Sequence, residues 1–138
     1  MAELNGKPRP APIPTTKPFW DALSEDRIHL QHCADCGSWV YYPRRRCPSC
    51  RSAALDWQEV SGRGHLYSWT IGRQPTHPAF GDEVPQRLIV VELEEGVRLT
   101  TTLVDGDDAD LVVGRAVEPV FDHGADGMTL LRFRPTRD

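Results

Sequence analysis

Hydrophobic and polar positions in the second half of the chain repeat with a period close to two. LDWQEV (55–60), GHLYSWTIG (64–72), QRLIVVELEE (86–95), VRLTTTLV (97–104), AVEPVF (116–121) and MTLLRFR (128–134) are rich in β-branched and aromatic residues. Such runs predict half-buried strands. Turn-forming residues separate them at Ser61-Gly62, Glu95-Gly96, Asp105–Asp108 and Gly124–Gly127. The first two runs read as one long strand bent at Gly62 and Gly64, because glycines inside a strand mark bulges or corners. Five strands result. Glu94-Glu95-Gly96 reads as a tight hairpin, and residues 107–113 as a short helical turn before Gly114. Five antiparallel strands with a break after the third predict a small Greek-key barrel of the OB type over residues 53–138.

The first half is patterned differently. Residues 1–16 are rich in proline, poor in large apolar side chains, and read as an extended arm. TKPFWDALSE then offers Thr16 as a helix N-cap, Pro18 in the first turn, and Phe19, Trp20 and Leu23 toward one side. A short helix is expected there, ending near Glu25, and its aromatics need a neighbour. The longest apolar run, Leu88–Val91, is far too short to span a bilayer. The opening MAELNGKPRPAPIP has charges and prolines where a secretion signal needs apolar residues. A cytoplasmic chain without a membrane segment is expected.

Between helix and strands, HCADCGSWVYYPRRRCPSC carries all four cysteines, spaced C-x2-C-x10-C-x2-C. In a reducing compartment this spacing favours metal ligation over disulfides. Each pair forms a knuckle that turns two thiolates toward one ion, and ten residues suffice for a hairpin that brings the pairs together. Cys33, Cys36, Cys47 and Cys50 are therefore metal ligands, and four thiolates in a tetrahedron suit structural zinc. An iron centre of the rubredoxin kind and a redox dithiol pair remain as alternatives. A closed four-sulfur site has no open position at which to activate water. Helix and knot together are expected to occupy residues 17–52.

Charge changes the picture in one respect. The chain has a net charge of −4, from a balance of +2 over residues 1–50 and −6 over residues 51–138. The acidic second half is a poor surface for a polyanion such as nucleic acid. Arg44, Arg45 and Arg46 lead into the second knuckle, and guanidinium forks bind phosphate or carboxylate bidentately. They are candidates for a nucleotide cofactor or an acidic partner, or else a solvated charge run. Trp39, Tyr41 and Tyr42 beside the knot either cover a module too small for its own core or bind a partner. Tyr67, Trp69 and Ile71 share one strand face with His65; the plainer reading places the first three in the barrel core, the other makes all four a stacking platform. The histidines are scattered, and no HExxH, GxSxG or Walker-type motif occurs. His77 with Asp82 or Glu83 can be drawn as an acid/base pair, although the proline-flanked THPAFGDEVP reads better as a lid or recognition loop. The residues alone describe a binding module or accessory subunit.

The order of motifs is informative: a helical stretch KPFWDALSEDRIHLQ, then CADCG, YYPRRRCPSC, WQEVSGRGHLYSWT, VELEEGVRL and VVGRAVEPVF. Over nearly the whole chain it resembles the acyl-CoA-associated family with an N-terminal rubredoxin-like zinc ribbon and a C-terminal OB-fold (domain of unknown function 35). The resemblance implies an OB-fold that does not read nucleic acid. It also implies a partner: a thiolase-fold enzyme, such as a thiolase, an acyltransferase or a lipid-transfer-protein-like retro-aldolase of steroid breakdown, or a hot-dog-fold enoyl-CoA hydratase. In such complexes the ribbon docks the partner, the barrel borders the acyl-CoA channel, and catalytic residues belong to the partner. The four cysteines match the family's ligands one for one. Gly62-Arg63-Gly64 and Glu94–Val97 also match, without an assigned role. Contacts to coenzyme A or to the partner are expected from Arg44–Arg46, Arg63, Tyr41, Tyr42, Trp20 and His77. The alternative is a nucleic-acid-binding ribbon and barrel.

Overall fold

The computed structural model describes residues 8–124 and 126–137; residues 1–7 of the expected arm lie outside the described residues. One α-helix, α1 (Lys17–Ser24), precedes eight strands: β1 (Ile28–Cys33), β2 (Trp39–Val40), β3 (Leu55–Val60), β4 (Gly64–Gly72), β5 (Gln86–Leu93), β6 (Arg98–Thr102), β7 (Ala116–His123) and β8 (Thr129–Pro135). Short 3-10 turns at Pro78–Phe80 and Asp108–Asp110 interrupt the loops. No helix among the described residues is long and apolar enough to cross a membrane.

α1 starts where expected, with Pro18 in its first turn, but Thr16 gives it no side-chain cap; the Thr16 hydroxyl turns back to the Ile13 carbonyl at 3.2 Å. Phe19, Ala22 and Leu23, spaced three and four apart, bury one face. The helix does not continue through RIHLQ. Asp26 takes a left-handed φ of 60°, and IHLQHC becomes β1, whose alternate Ile28 and Leu30 side chains face the core.

The strands form two sheets, β2-β1-β3 and β6-β5-β4-β7-β8. β3 and β4 are therefore not one bent strand: β3 pairs along its full length with β1, and the chain changes sheets at Ser61-Gly62-Arg63. The crossing needs glycine twice. Gly62 has φ +82° and lies beneath Pro119, and a Cβ on Gly64 would sit 2.5 Å from the Glu92 carbonyl oxygen. The five-stranded sheet closes by a parallel bridge between Leu103 and Phe133, with Val104 N–H donating to the Phe133 carbonyl at 2.8 Å. Antiparallel neighbours closed by one parallel contact are the OB-type barrel expected from the pattern.

One apolar core serves both sheets. Phe19 and Leu23 of α1, Ile28 and Leu30 of β1 and Val60 of β3 join Leu66, Ile89, Val91, Leu99, Val117 and Phe133 of the barrel. The cysteine end has a much smaller cluster, Cys33, Val40 and Cys47 with Leu55 against it.

Tyr67 and Trp69 are not core residues. The β4–β5 register jumps from Leu66↔Val91 to Ser68↔Val90, so Tyr67 is the extra residue of a bulge. It is 43% exposed, with the Arg98 guanidinium 3.8 Å above its ring. β7 pairs with β4 only at Gly64 and His65, which leaves the rest of that edge uncovered and Trp69 39% exposed. Ile71 alone of the three packs against the core, and its residue is half-buried.

Phe133 is fully buried beside the closing bridge. Phe133→Ala should lower stability by about 3–5 kcal/mol in urea unfolding; a loss below about 1 kcal/mol would mean that this ring does not key the barrel.

Candidate functional site: the cysteine knot and its arginine loop

Two knuckles of like geometry hold the cysteines. In the first, Gly37 N–H donates to the Cys33 carbonyl at 2.9 Å and Cys33 N–H to the Ser38 carbonyl at 2.8 Å. In the second, Arg51 N–H donates to the Cys47 carbonyl at 2.8 Å and Cys47 N–H to the Ser52 carbonyl at 2.9 Å. The turn demands left-handed backbone at the residue after each second cysteine. Gly37 meets this at φ +78°, and Arg51, without a glycine's freedom, at φ +66°. A hydrogen bond from the Ser52 hydroxyl to the Asp35 carboxylate ties the two knuckles together.

The four sulfurs lie within 4.8 Å of one another, with Cys33–Cys50 and Cys36–Cys47 at 3.6 Å. A disulfide needs about 2.05 Å; a tetrahedron of thiolates around zinc, with Zn–S near 2.3 Å, has edges of about 3.8 Å. The spacing fits an ion at the centre. The side chain and backbone of Ser38 lower the Cys36 thiol to about 6. Cys50 is pushed up to about 12: the Ser52 backbone favours its thiolate, but burial and the neighbouring thiols outweigh it. Four thiolates this close repel one another, and a divalent cation supplies the missing compensation. With all four positions filled by protein, such an ion is structural.

Sequence reasoning missed Gln31. Its side chain is buried, and the residue is only 5% exposed. It holds Arg44 like one rung of a sheet: Gln31 Nε2 donates to the Arg44 carbonyl and Arg44 N–H donates to Gln31 Oε1, both at 2.7 Å. Sequence pattern gives no signal for it, because the buried positions of IHLQHC do not alternate; only the folded strand shows a buried amide that requires partners.

The other predicted residues fall into separate places. Arg44, Arg45 and Arg46 are all exposed, and Arg46 Nη1 donates to the Arg51 carbonyl at 3.1 Å. Tyr41 is half-buried, with its ring 5.8 Å from Phe19 and 4.3 Å from the 57% exposed Tyr42. Burial pushes the Tyr41 phenol above the ordinary tyrosine value. Trp20 stands edge-on to Phe19 at 5.1 Å and lines, with Tyr41, Thr101 and Leu131, a groove of about 240 Å³ between α1 and the barrel. Arg63 is engaged: Glu94 takes its Nε at 3.0 Å and its Nη2 at 3.2 Å. His77 caps the Pro78–Phe80 turn, its Nδ1 accepting from Ala79 N–H at 3.0 Å. That nitrogen is not free to act as a base. Two larger clefts lie elsewhere. One, of about 710 Å³, is lined by Arg87, Asp105, Asp122, His123 and Arg132; the other, of about 480 Å³, by Arg63, His65, Glu92 and Glu94.

Fold and site define a protein made of a metal-holding ribbon and an OB-type barrel. The chain belongs to the ChsH2 (DUF35) family: residues 20–56 match the model of the ChsH2 rubredoxin-like zinc ribbon domain, and residues 57–122 that of the ChsH2 C-terminal OB-fold domain. It is 37% identical over 108 residues to a DUF35 domain-containing scaffold protein of Methanothermobacter thermautotrophicus, covering 74% of this chain and 80% of that one. It is also 37% identical over 130 residues to a probable enoyl-CoA hydratase alpha subunit of Thermomonospora curvata, covering 94% of this chain. Of that longer relative the chain spans 40%. Among solved structures, a chain of an Ltp2-ChsH2(DUF35) aldolase matches with a TM-score of 0.80 at 35% identity, covering 92% of this chain and 98% of that one.

Two outcomes are expected. Cys33→Ser should lose the metal and unfold the ribbon, because metal binding there is folding energy; bound zinc and an unchanged melting temperature would contradict this. Gln31→Leu should leave the metal in place but speed amide exchange at Arg44 by about tenfold, the effect of losing ~1.4 kcal/mol of local protection, as read by hydrogen–deuterium exchange; unaltered exchange would remove the clamp.

Proposed function

We propose that this chain is a non-catalytic, zinc-holding subunit that binds a thiolase-fold acyl-CoA-processing enzyme of the aldolase kind and completes or steadies its active site. The observation that carries this reading is the match, across both ribbon and barrel, to the chain found in an Ltp2-ChsH2(DUF35) aldolase. The chemistry of this chain supports it from the other side. A four-thiolate centre has no position for substrate, Arg63 is held by Glu94, and His77 Nδ1 is held by a backbone amide. A lipid-transfer-protein-like retro-aldolase of sterol or lipid breakdown is the partner favoured, with the acyl-CoA channel bordered by the barrel. An enoyl-CoA hydratase partner is the second reading, favoured by the likeness of nearly the whole chain to part of the Thermomonospora curvata hydratase alpha subunit.

Mixing the purified chain with an Ltp2-type aldolase subunit should give a stable complex by size exclusion. Cleavage of a β-hydroxyacyl-CoA by that complex should exceed the rate of either component by at least about tenfold, an activation-barrier difference of ~1.4 kcal/mol. Full activity of the aldolase subunit alone, or turnover by this chain alone, would overturn the proposal.

A further inference from the structure

The arginines of the two sheets differ in how they are compensated. In the barrel, Arg63, Arg87, Arg98, Arg115, Arg132, Arg134 and Arg137 each lie within 4.0 Å of a carboxylate, leaving Arg73. In the ribbon, Arg44, Arg45, Arg46 and Arg51 are exposed, and no carboxylate of the described residues pairs with them. Arg44–Arg46, the chain's only arginine run, and Arg51 flank the second knuckle on its two sides, while the chain as a whole is acidic at −4. The carboxylate that does reach the knuckle, Asp35, is taken by the Ser52 hydroxyl and not by a guanidinium.

The loop is also held in place. Gln31 fixes Arg44 by two hydrogen bonds of 2.7 Å, Arg46 is fastened to the Arg51 carbonyl at 3.1 Å, and the metal knuckle fixes Cys47 and Cys50 beyond it. Tyr42, the most exposed aromatic at 57%, rests on Tyr41, which in turn rests on Phe19 of α1. Arginine forks and a tyrosine on a rigid support are the side chains that interface centres favour, and rigidity lowers the ordering cost of docking.

We propose that Tyr42, Arg44, Arg45, Arg46 and Arg51 form a preorganised cationic face that docks a carboxylate-rich patch on the partner enzyme subunit, with Gln31 as its positioning residue. This rests on the reading of the chain as an enzyme subunit. A protein surface is favoured over the phosphates of a nucleotide cofactor because all five residues are exposed, whereas small-ligand sites are concave and bury most of their ligand. Uncompensated guanidiniums on an open surface instead match the broad complementarity of charged protein interfaces, where bidentate carboxylate pairs fix register and speed association.

The test is titration of the zinc-loaded chain with an Ltp2-type aldolase subunit at two salt concentrations. The variants are Arg44→Ala/Arg45→Ala/Arg46→Ala, the same three positions changed to Glu, and Arg134→Ala as a control whose guanidinium Glu118 already holds. All lie on the surface, so zinc content and melting temperature report that the fold is intact. The alanine variant should bind at least about tenfold more weakly at low salt and with a flatter salt dependence, the glutamate variant should not bind, and the control should match wild type. Wild-type affinity and salt dependence in the alanine variant would overturn the face while leaving the subunit reading intact. Competition by free coenzyme A, with the same variants losing that competition, would assign the loop to cofactor phosphates and overturn it as well. Failure of the wild-type chain to form any complex would instead defeat the subunit reading, and this face with it.

Discussion

Four thiolates converging within 4.8 Å are the constraint on which the rest of the ribbon depends. Left without a cation they repel, and the apolar support around them is slight: Cys33, Val40 and Cys47, with Leu55 packed alongside. A module that buries so little cannot hold two tight knuckles by packing alone, so ion binding and local folding become one event. What the ion fixes is direction. With Cys33 and Cys47 anchored, β1 and β2 are set antiparallel, the ten residues between the pairs must double back, and the arginines on that return are carried to the outside.

The barrel plays a different part. It shares its core with α1 and with the inner residues of β1 and β3, so the ribbon rests on a rigid base. Its own guanidiniums are neutralised by its own carboxylates, as in the Arg63–Glu94, Arg132–Asp122 and Arg134–Glu118 pairs. Exposed pairs of this kind contribute little to stability, but they quench the local field. Apart from Arg73, the barrel is thereby left without uncompensated guanidiniums, and the clustered ones lie in the ribbon. That division agrees with a protein whose chemistry is recognition, carried out by a metal-shaped loop on a self-compensated support.

Much of this was legible in the sequence. The cysteine spacing specifies the ligand set because geometry leaves few ways to bring four thiolates onto one ion, and period-two patterning located all five barrel strands. The failures have physical causes. LDWQEV and GHLYSWTIG look continuous because pattern cannot show a strand changing sheets; the close approach of Gly64 to the Glu92 carbonyl, which marks the crossing, exists only in three dimensions. IHLQHC does not read as a strand because its buried positions do not alternate, and only the left-handed residue at Asp26 separates it from the helix. Tyr67 and Trp69 looked like core because alternation does not register a bulge or an unpaired strand edge. Gln31 passed unnoticed because its partner is a backbone unit of another loop, and backbone partners leave no trace in side-chain spacing.

The central claim is that the metal knot builds the surface through which this chain meets an enzyme. Its most direct test is calorimetric titration of an Ltp2-type aldolase subunit with two preparations of the same chain, one zinc-loaded and one stripped by a chelator, with circular dichroism to verify that the barrel persists in both. Binding by the zinc-loaded form and its loss in the stripped form are predicted. Equal binding by the two would contradict the account, placing the contact on the barrel and leaving the ribbon without a part in it.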